Sequence, residues 1–565
     1  MKEGNKTQNV AEQIVDQLAE AGVKHLYAIT GDSLNALTDA ITKDGRIKFI
    51  HVRNEEAAAF AASAEAQLTG KLAACAGSSG PGHIHLINGL YDAQRSNAPV
   101  VAIASTCASA MFGTGYFQET NPTLLFSNCT VYNEMAVTPQ QVPGMLHGAM
   151  QTAISRGGVG VVGLPADTIT QPAVTTGASV LPSYTERLPE PSSDEIDNAA
   201  RMINEAKTVA IYVGAGASDA SSLVKELAGR LNAPVVTSYK SQMEMTRDMP
   251  NYVGHIGYLG MWSATDAIAQ ADLVLILGTN FPYPGFFPAD RRSIQVDIRA
   301  ERLGKRANLK LGVRSDVGLF LSMLLPKIAD KTDRSFLDTS LSAWEKIQKK
   351  LQIPVNNPGK TNCIRPEYML HLLDKLAKED CIVTVDTGMN NVWTSHYLTP
   401  SADRKMIGSF THGSMANALP MAIGAAVSHP GRQVISISGD GGLAMLMGEL
   451  LTTVQYRLPV KILVADNRSL GFVKWEMELA GYNPSEVNLT NPDFSAMAKA
   501  IGIQAETVAE PGELESAMCR WLSAEGPALL AVTTDTDAAS FAFSEALMEK
   551  GEPGNPVSNF MVPGV

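Results

Sequence analysis

The stretch Val434-Ile435-Ser436-Ile437-Ser438-Gly439-Asp440-Gly441-Gly442 places a glycine-flanked acid directly after an apolar run that is typical of a buried strand. A helix with one buried face is predicted to follow, from the spacing of Leu443, Leu446, Met447, Leu450, Leu451 and Val454. A second apolar run, at residues 460–465, ends in Asp466-Asn467. Because parallel strands end at the same edge of a sheet, Asp440 and Asn467 are predicted to converge at the edge where ligands bind.

The chemistry of this stretch suits a phosphate and a hard cation. Glycines let backbone N–H groups come close to phosphate oxygens. A carboxylate, an amide oxygen and a main-chain carbonyl suit Mg²⁺, so we predict Asp440, Asn467 and the Ser469 carbonyl as metal ligands. Alone, Gly-Asp-Gly indicates only a turn between a strand and a helix. The 24 residues that separate it from Asp466-Asn467 favour the cofactor interpretation.

The rest of the chain shows a similar alternation of apolar runs and helical segments. Strands are predicted at residues 25–30, 48–52, 72–76, 100–105, 158–164, 209–213, 234–237, 273–277, 294–298 and 382–385. Helices are predicted between them, among others at 10–20, 33–41 and 55–68. This alternation is the signature of parallel βαβ units.

A chain of 565 residues is too long for one core. Polar connectors at 171–191 and 327–360 divide it, and Ser192-Ser193-Asp194-Glu195 predicts a helix N-cap after the first. We therefore predict an α/β protein of three tandem doubly wound parallel-sheet domains, with bounds 1–185, 186–345 and 346–565.

Composition narrows the class of protein. A formal net charge of -12, without basic patches, argues against nucleic acid as a partner. The chain shows neither a signal core nor an apolar stretch of roughly 20 residues, and its six cysteines are scattered, so we expect a cytoplasmic protein without a transmembrane span. His83 and His85 could share a strand face, but no other metal-binding side chains cluster nearby.

Longer motifs resemble one family. They are Ile29-Thr30-Gly31-Asp32-Ser33-Leu34-Asn35, Gly115-Tyr116-Phe117-Gln118-Glu119-Thr120, His412-Gly413-Ser414-Met415-Ala416-Asn417 and Leu470-Gly471-Phe472-Val473. Up to about residue 535 the chain is similar to the bacterial pyruvate:quinone oxidoreductases, which are thiamine diphosphate-dependent flavoenzymes. The resemblance implies a pyrimidine-binding N-terminal domain, a central FAD-binding domain and a C-terminal domain that binds diphosphate and Mg²⁺.

The resemblance also implies roles for individual residues. Glu55 would hydrogen-bond the aminopyrimidine ring, although a solvated acid at a helix start is the simpler interpretation of that glutamate alone. The substrate side of the thiazolium would be lined by Phe117, Gln118, Phe472, Val473 and Glu476. Thiamine diphosphate would contact Gly413, Ser414, Met415, Asp440, Gly441, Gly442, Asn467, Leu470 and Gly471. FAD would contact Gly214, Gly216, Gly257, Tyr258, Leu259, Thr279, Asn280, Phe281, Pro282, Tyr283 and Asp297.

Two positions depart from the family pattern. Asn54 stands where a histidine usually precedes the glutamate, and asparagine still makes a good N-cap. Asp466 replaces the first of two asparagines. Because the metal ligand in related enzymes is the second asparagine, here Asn467, we expect cofactor binding to survive.

The activity implied is oxidative decarboxylation of pyruvate, or a similar 2-oxo acid, to acetate and carbon dioxide via hydroxyethyl-thiamine diphosphate, with electrons passing through FAD to a quinone. Alternatives are an oxygen- and phosphate-dependent pyruvate oxidase that makes acetyl phosphate, an acetolactate synthase-like carboligase, and a scaffold that retains the cofactors without catalysis. Acetolactate synthases carry a tryptophan nine positions after the metal-binding asparagine. This chain has Glu476 there and Trp475 one position earlier, about 100° away around a helix.

Assembly and electron acceptor are the remaining expectations. In the family the domain that carries Glu55 faces the Asp440 domain of another subunit, which implies a homodimer or homotetramer. The C-terminal residues 551–565 show neither an amphipathic pattern nor a basic cluster. Peripheral contact with the inner membrane face is then either made elsewhere or absent. A soluble acceptor in place of the quinone is the alternative.

Overall fold

The computed structural model describes residues 8–174, 188–244, 249–287, 292–401 and 403–535. Within these ranges three six-stranded sheets follow one another along the chain, and every strand pair in them is parallel. Helices connect the strands, and this arrangement confirms the predicted α/β class with three tandem sheets.

The first sheet has the strand order β2-β1-β3-β4-β6-β5. Its strands are β1 (His25–Ala28), β2 (Lys48–His51), β3 (Ala73–Gly77), β4 (Val100–Thr106), β5 (Tyr132–Met135) and β6 (Val159–Pro165). The helices are α1 (Val10–Glu20), α2 (Asn35–Asp44), α3 (Glu55–Thr69), α4 (Pro81–His85), α5 (Ile87–Ser96), α6 (Pro122–Leu125) and α7 (Val142–Arg156). Leu26 and Ala28 pack into one apolar cluster and Tyr27 into another, so the sheet is buried on both faces.

The middle sheet has the order β12-β11-β10-β7-β8-β9. Its strands are β7 (Val209–Val213), β8 (Val235–Ser238), β9 (Tyr252–Ile256), β10 (Leu273–Leu277), β11 (Arg292–Asp297) and β12 (Leu311–Arg314). The helices are α8 (Ser193–Glu205), α9 (Ser221–Leu231), α10 (Trp262–Gln270) and α11 (Val317–Leu324). The predicted cap is present, because Ser192 and Glu195 form a reciprocal capping box at the start of α8.

Helix α12 (Ser335–Val355) joins the second and third sheets. Its first half packs Trp344 against Tyr252 of β9, with ring centroids 5.5 Å apart. Its second half places Ile347 and Leu351 in the core of the third sheet. The domain boundary that we predict at residue 345 therefore lies inside a continuous helix.

The third sheet repeats the strand order of the first, as β16-β15-β17-β18-β20-β19. It is preceded by a short antiparallel pair, β13 (Gly359–Lys360) and β14 (Cys363–Ile364). Its strands are β15 (Ile382–Val385), β16 (Lys405–Gly408), β17 (Val434–Gly439), β18 (Val460–Asp466), β19 (Gln504–Val508) and β20 (Ala528–Thr533). The helices are α13 (Pro366–Leu376), α14 (Met389–Tyr397), α15 (Ala418–Ser428), α16 (Asp440–Met445), α17 (Leu450–Gln455), α18 (Gly471–Leu479), α19 (Phe494–Ala500) and α20 (Pro511–Ser523).

The single helix predicted after Gly442 is wrong. Helix α16 ends at Met445, a 3-10 turn spans Met447–Glu449, and α17 begins at Leu450. Leu443 and Leu450 are buried, whereas Met447 and Leu451 are exposed. The break turns the Glu449 side chain inward, where it is 1% exposed, and this resets the helical period.

Two expectations concern membranes. None of the helices within the described ranges is both long and apolar enough to cross a lipid bilayer. The C-terminal stretch 551–565, on which the expectation of peripheral contact depends, lies outside the described residues.

Candidate active site

The carboxyl edge of the third sheet brings the predicted metal-binding residues together. The register of β17 and β18 pairs Gly439 with Ala465, so Asp440 and Asp466 directly follow a matched pair of residues. The amide of Asn491 donates to Asp440 Oδ2 at 2.7 Å and to Asp466 Oδ1 at 2.8 Å. Burial, and secondarily the nearby Asp466 carboxylate, raise the pKa of Asp440 to about 6 although the Asn491 bond opposes them.

Asn467 and Ser469 form the next part of this edge. Asn467 Oδ1 accepts a hydrogen bond from the Ser469 N–H at 3.0 Å. Ser469 lies opposite Asn488 in a short antiparallel pairing whose hydrogen bonds are made by Leu470 N–H and Leu489 N–H. In this register the Ser469 carbonyl takes no part in the pairing and is left for another partner.

Gly442 is packed against a buried carboxylate. A methyl group on Gly442 would lie 2.1 Å from Asp386 Oδ2, so only glycine allows this approach. Asp386 follows β15, and its Oδ1 is held by the Thr387 N–H and the Asn417 amide. Burial raises the pKa of Asp386 to about 7. The carboxylate thus lies at the switch point between β15 and β17, where the strand order reverses.

Met415 and Leu470 meet beside the glycine turn. A methyl group on Gly441 would be 3.0 Å from Leu470 Cδ2 and 3.4 Å from Met415 Cε. Gly413 has φ +77°, in the left-handed region that favours glycine, and Ser414 Oγ accepts from the Asn88 amide at 2.8 Å. The structure therefore groups four predicted cofactor contacts, Met415, Gly441, Leu470 and Ser414, at one edge.

Glu55 lies in a separate cavity of about 290 Å³. Within the described residues this cavity is lined by the first domain alone: Ile29, Thr30, Arg53, Asn54, Glu55, Ser78, Ser79, Pro81, Gly82, His85 and Gln118. The cavity lies at the carboxyl ends of β1 and β3, where the strand order of the first sheet reverses. Asn54 caps α3 by accepting from the Glu56 N–H at 2.9 Å, as predicted.

Glu55 is 5% exposed, and its Oε2 contacts His85 Nδ1 at 3.0 Å. The pair His83 and His85, for which a shared strand face was one prediction, lies instead on the short helix α4. His83 points into the core towards the Ser105 carbonyl at 2.7 Å, while the His85 side chain is half exposed.

The loop that carries Phe117 and Gln118 covers one side of this cavity. Gln118 has φ +57°, which is unusual for a residue with a side chain, and its Oε1 accepts from Ser79 Oγ at 3.0 Å. Phe117 is 75% exposed. The structure thus places Gln118 beside Glu55, whereas Phe117 faces outward from this chain.

A cleft of about 1010 Å³ joins the middle sheet to the third, and residues 94–97 of the first domain also line it. From the predicted flavin set it is lined by Gly216, Gly257, Tyr258, Leu259, Thr279, Asn280, Phe281, Pro282, Tyr283 and Asp297. Gly413, Phe472 and Glu476 line it from the third domain. Gly214 lies behind this wall, where a methyl group would be 2.3 Å from Thr279 Cβ. Val473 is 43% exposed and points elsewhere.

Trp475 and Glu476 differ as the offset around a helix predicts. Trp475 is 8% exposed and packs its ring 5.8 Å from that of Phe472, although its edge reaches the same cleft. Glu476 is exposed to the cleft, and partial loss of solvent there raises its pKa. Its carboxylate in turn contributes, after burial, to the raised pKa of Tyr283.

Three family models match the chain in sequence order. They describe the thiamine pyrophosphate enzyme N-terminal TPP binding domain at residues 8–124, the central domain at 196–324 and the C-terminal TPP binding domain at 386–532. The chain belongs to the thiamine pyrophosphate enzymes.

Curated relatives cover most of this thiamine pyrophosphate enzyme. A thiamine pyrophosphate-containing protein of Bacillus subtilis, YdaP, is 33% identical over 92% of the chain and 91% of its own length. Pyruvate oxidase of Lactiplantibacillus plantarum is 33% identical over 89% of the chain and 85% of its own length. Acetolactate synthase 1 of Zea mays is 30% identical over 92% of the chain and 84% of its own length.

The residues of this thiamine pyrophosphate enzyme fit its cofactor. At the third-sheet edge Ser469 Oγ, Asp386 Oδ2, Asn390 Oδ1 and Asn417 Oδ1 are buried without a hydrogen-bond partner in the part of the chain described. Buried polar groups need partners, so this edge can accept a polar ligand. Thiamine diphosphate binding is supported by the family and by these groups together.

Three contacts were not predicted from the sequence of this thiamine pyrophosphate enzyme. Asn491 contacts the Asp440 and Asp466 carboxylates, His85 contacts Glu55, and Glu449 Oε1 accepts the Arg53 and Asn54 N–H groups at 2.8 and 3.0 Å. Each partner lies 25 or more residues away along the chain, and no motif spacing links them. The sequence analysis predicts the edge itself, but it contains no signal for the partners Asn491, His85 and Glu449.

Proposed function

We propose that the protein catalyses the oxidative decarboxylation of pyruvate to acetate and carbon dioxide, with electrons passing through FAD to a quinone. The single observation that carries the proposal is the cleft of about 1010 Å³. It connects the glycine-containing turns of the middle sheet to Phe472 and Glu476 of the third domain, so a redox cofactor bound there would reach the substrate side of the site.

The middle sheet supports a dinucleotide in that cleft. Numbered from β7, its strand order is 3-2-1-4-5-6, the order of dinucleotide-binding sheets. Gly214 and Gly216 follow β7, and Thr279 follows β10, on either side of the switch point. Basic side chains that suit a diphosphate also line the cleft: Lys240, Arg299, Arg302, Lys305 and Arg306.

The residues would divide the work as follows. Thiamine diphosphate supplies a carbon nucleophile and electron sink, and FAD supplies a two-electron acceptor. Asp440, Asn467 and the Ser469 carbonyl would hold Mg²⁺ against the diphosphate. Glu55 would share a proton with the aminopyrimidine nitrogen, a task that its 5% exposure favours because little water competes for the carboxylate.

We further propose that the site is completed in a homodimer, which can pair into a homotetramer. The Glu55 cavity and the Asp440 edge are two half-sites in one chain, and large apolar side chains are exposed on both domains. Phe117 and Leu124 are 75% and 74% exposed on the first, and Met445 and Tyr482 are 61% and 57% exposed on the third. Exposed apolar groups of this size favour an interface between copies.

The test adds pyruvate anaerobically to the purified protein loaded with thiamine diphosphate, Mg²⁺ and FAD. Bleaching of the flavin with release of acetate is expected, followed by reoxidation with a soluble quinone. Acetolactate without bleaching would replace the proposal with carboligation, which the Trp475 edge in the cleft favours as second candidate. Acetyl phosphate formed with oxygen and phosphate would indicate the oxidase branch, and no turnover of any 2-oxo acid would indicate a scaffold.

Two variants test the assignment of residues. Glu55→Gln is expected to fold and to lose most turnover, and full activity would refute its role. Mixing inactive Glu55→Gln with inactive Asp440→Ala subunits should restore part of the activity, because one composite site would contain both native residues. No restoration in a verified mixed dimer would overturn the shared site.

A further inference from the structure

The side-chain amide of Asn491 lies between two carboxylates. Its Nδ2 is 2.7 Å from Asp440 Oδ2 and 2.8 Å from Asp466 Oδ1. An amide nitrogen carries two hydrogens, so it can donate to both acids at once. Asp466 also accepts the Arg468 N–H at 3.3 Å. The acid that departs from the family pattern is thus engaged by groups of the protein itself.

The backbone around Asn491 is held on both sides. Before it, Val487 accepts from the Leu470 N–H and Leu489 donates to the Arg468 carbonyl, both at 2.8 Å, which fixes this stretch against the Ser469 turn. After it, Asp493 caps helix α19 by accepting from the Ala496 N–H at 2.9 Å. The amide therefore reaches the two acids from a rigid position.

The arrangement has a chemical consequence for a cation at this edge. A carboxylate has two oxygens, and a hydrogen bond to one of them orients the other. Asn491 occupies Oδ2 of Asp440, and the backbone N–H groups of Gly441 and Arg468 also contribute to holding this carboxylate. We infer that Oδ1 is the oxygen that faces a metal ion. Asn491 also turns Asp466 towards itself, so that a single carboxylate is offered to the ion together with the neutral Asn467 and Ser469 oxygens.

We propose that Asn491 is a positioning residue that sets both the affinity and the selectivity of the metal site, an inference that rests on the cofactor assignment above. It holds Asp440 in the geometry of a monodentate ligand and keeps Asp466 out of the coordination sphere. Mg²⁺ demands near-octahedral geometry with few protein carboxylates, whereas Ca²⁺ accepts more oxygen ligands in flexible geometry. Without Asn491, Asp466 becomes free to act as a second carboxylate ligand. The affinity of the site for Ca²⁺ then rises relative to its affinity for Mg²⁺.

The experiment measures binding, not turnover. Mg²⁺ and, separately, Ca²⁺ are titrated into the full-length protein at fixed thiamine diphosphate, and cofactor binding is followed by intrinsic fluorescence and calorimetry. Asn491→Leu removes both donors at similar volume. Asn483→Leu is the matched control, because Asn483 is an exposed asparagine eight positions earlier.

We expect Asn491→Leu to weaken Mg²⁺-dependent cofactor binding by about 10-fold or more, the usual effect of losing a residue that orients a metal ligand. Ca²⁺-dependent binding should weaken less, so the Mg²⁺ to Ca²⁺ preference falls. The double variant Asp466→Asn/Asn491→Leu should recover the preference of the unsubstituted protein, because the acid that would enter the coordination sphere is gone. A purely structural defect would weaken Mg²⁺-dependent and Ca²⁺-dependent cofactor binding by the same factor.

Other results would overturn the inference. Asn491→Leu that binds Mg²⁺ within about twofold of Asn483→Leu, with an unchanged preference, would exclude a positioning role. If Asn491→Leu does not fold, Asp466→Asn decides: it keeps an oxygen for Asn491 and should alter Mg²⁺ binding less than about threefold, whereas a loss of 10-fold or more would make Asp466 a metal ligand. If the unsubstituted protein binds no thiamine diphosphate with Mg²⁺, the cofactor assignment fails first.

Discussion

His255 and His396 both direct Nε2 at the same atom, the carbonyl oxygen of Leu259, at 2.9 and 3.0 Å. His255 lies in strand β9 and His396 lies in helix α14, so the contact links the middle and third sheets. Burial is the main reason that the pKa falls to about 3 for His255 and about 4 for His396, so both rings are neutral near pH 7. Because a carbonyl only accepts, both Nε2 atoms carry the hydrogen.

Replacing the two histidines should show strong coupling. His255→Phe or His396→Phe alone should lower the free energy of local opening around residues 257–260 by about 0.5–1.5 kcal/mol, since one donor remains. The double variant should lose more than the sum, because the Leu259 carbonyl then loses both of its histidine donors. Amide hydrogen exchange of this segment measures the effect, with His371→Phe as control; additive losses would contradict it.

The buried carboxyl group of Asp92 should make the free energy of unfolding depend on pH. It is fully buried, and burial raises its pKa to about 6 in the folded protein, above its value of about 3.9 when unfolded. Between pH 4 and 6 the folded state therefore binds more protons than the unfolded state. The ionised Asp92 lowers the free energy of unfolding most above pH 6. Asp92→Asn should stabilise the protein at pH 7 by at most about 3 kcal/mol.

That gain should shrink as the pH falls from 6 to 4, since the native carboxyl then becomes neutral as well. Thermal unfolding of both proteins at pH 5 and pH 7 measures the difference. The exposed Asp39→Asn is the control for general charge effects. A stabilisation equal at both pH values would show that desolvation of Asp92 is not its source.

Gly442→Ala should destabilise the third domain and abolish cofactor binding. The added methyl would lie 2.1 Å from Asp386 Oδ2, and Asp386 cannot retreat because Thr387 and Asn417 hold it. Overpacking of this kind costs about 1–3 kcal/mol. Gly512→Ala, in a helix and with open space around it, should instead be neutral or slightly stabilising. Equal behaviour of the two variants in thermal unfolding would be inconsistent with the close approach.

Glu449→Ala should lower stability and turnover through its contact with the segment that precedes Glu55 in the first domain. Its carboxylate accepts the Arg53 and Asn54 N–H groups that lead into Glu55, so the variant removes the acceptor of two backbone donors. We expect a loss of about 2 kcal/mol or more in unfolding free energy, together with reduced turnover. Glu449→Gln keeps an acceptor oxygen and should retain most of both. Equal losses in the two variants would show that the charge, and not the acceptor, matters.

Twelve of the eighteen strands that the structure describes in the three sheets were predictable because apolar periodicity is a local property. The strands β5, β9, β12, β16, β19 and β20 were not predicted. Residues 209–213, 273–277 and 382–385 were predicted with the observed bounds, and the strands before Asp440 and Asp466 to within one residue. The switch points follow from strand order, and strand order cannot be derived from periodicity. The helix break at 446–449 was missed because it serves a contact between Glu449 and Arg53, which are distant in sequence.

The candidate site divides in the same way. Asp440 and Asn467 each follow a strand at the carboxyl edge of the third sheet, and Met415 lies beside Gly441, while the roles assigned to these residues stay predictions. Val473 and Phe117, carried over from the resemblance, are exposed on this single chain, and their roles stay predictions that depend on a second subunit. Asn491 could not be found in advance, because its two hydrogen bonds depend on how the 487–493 stretch packs against the sheet edge.

Helix α12 limits how this architecture can be recombined. A chimera joined at residue 345 would take Trp344 from one parent and Ile347 from the other. Trp344 packs on Gly254 of the middle unit, where a methyl group would lie only 3.1 Å from the tryptophan ring, and Ile347 packs in the core of the third unit. Both packings depend on one rigid rod with a fixed phase of 3.6 residues per turn. The middle and third units are therefore inherited as a pair, and a viable crossover must fall before helix α8, which begins at Ser193.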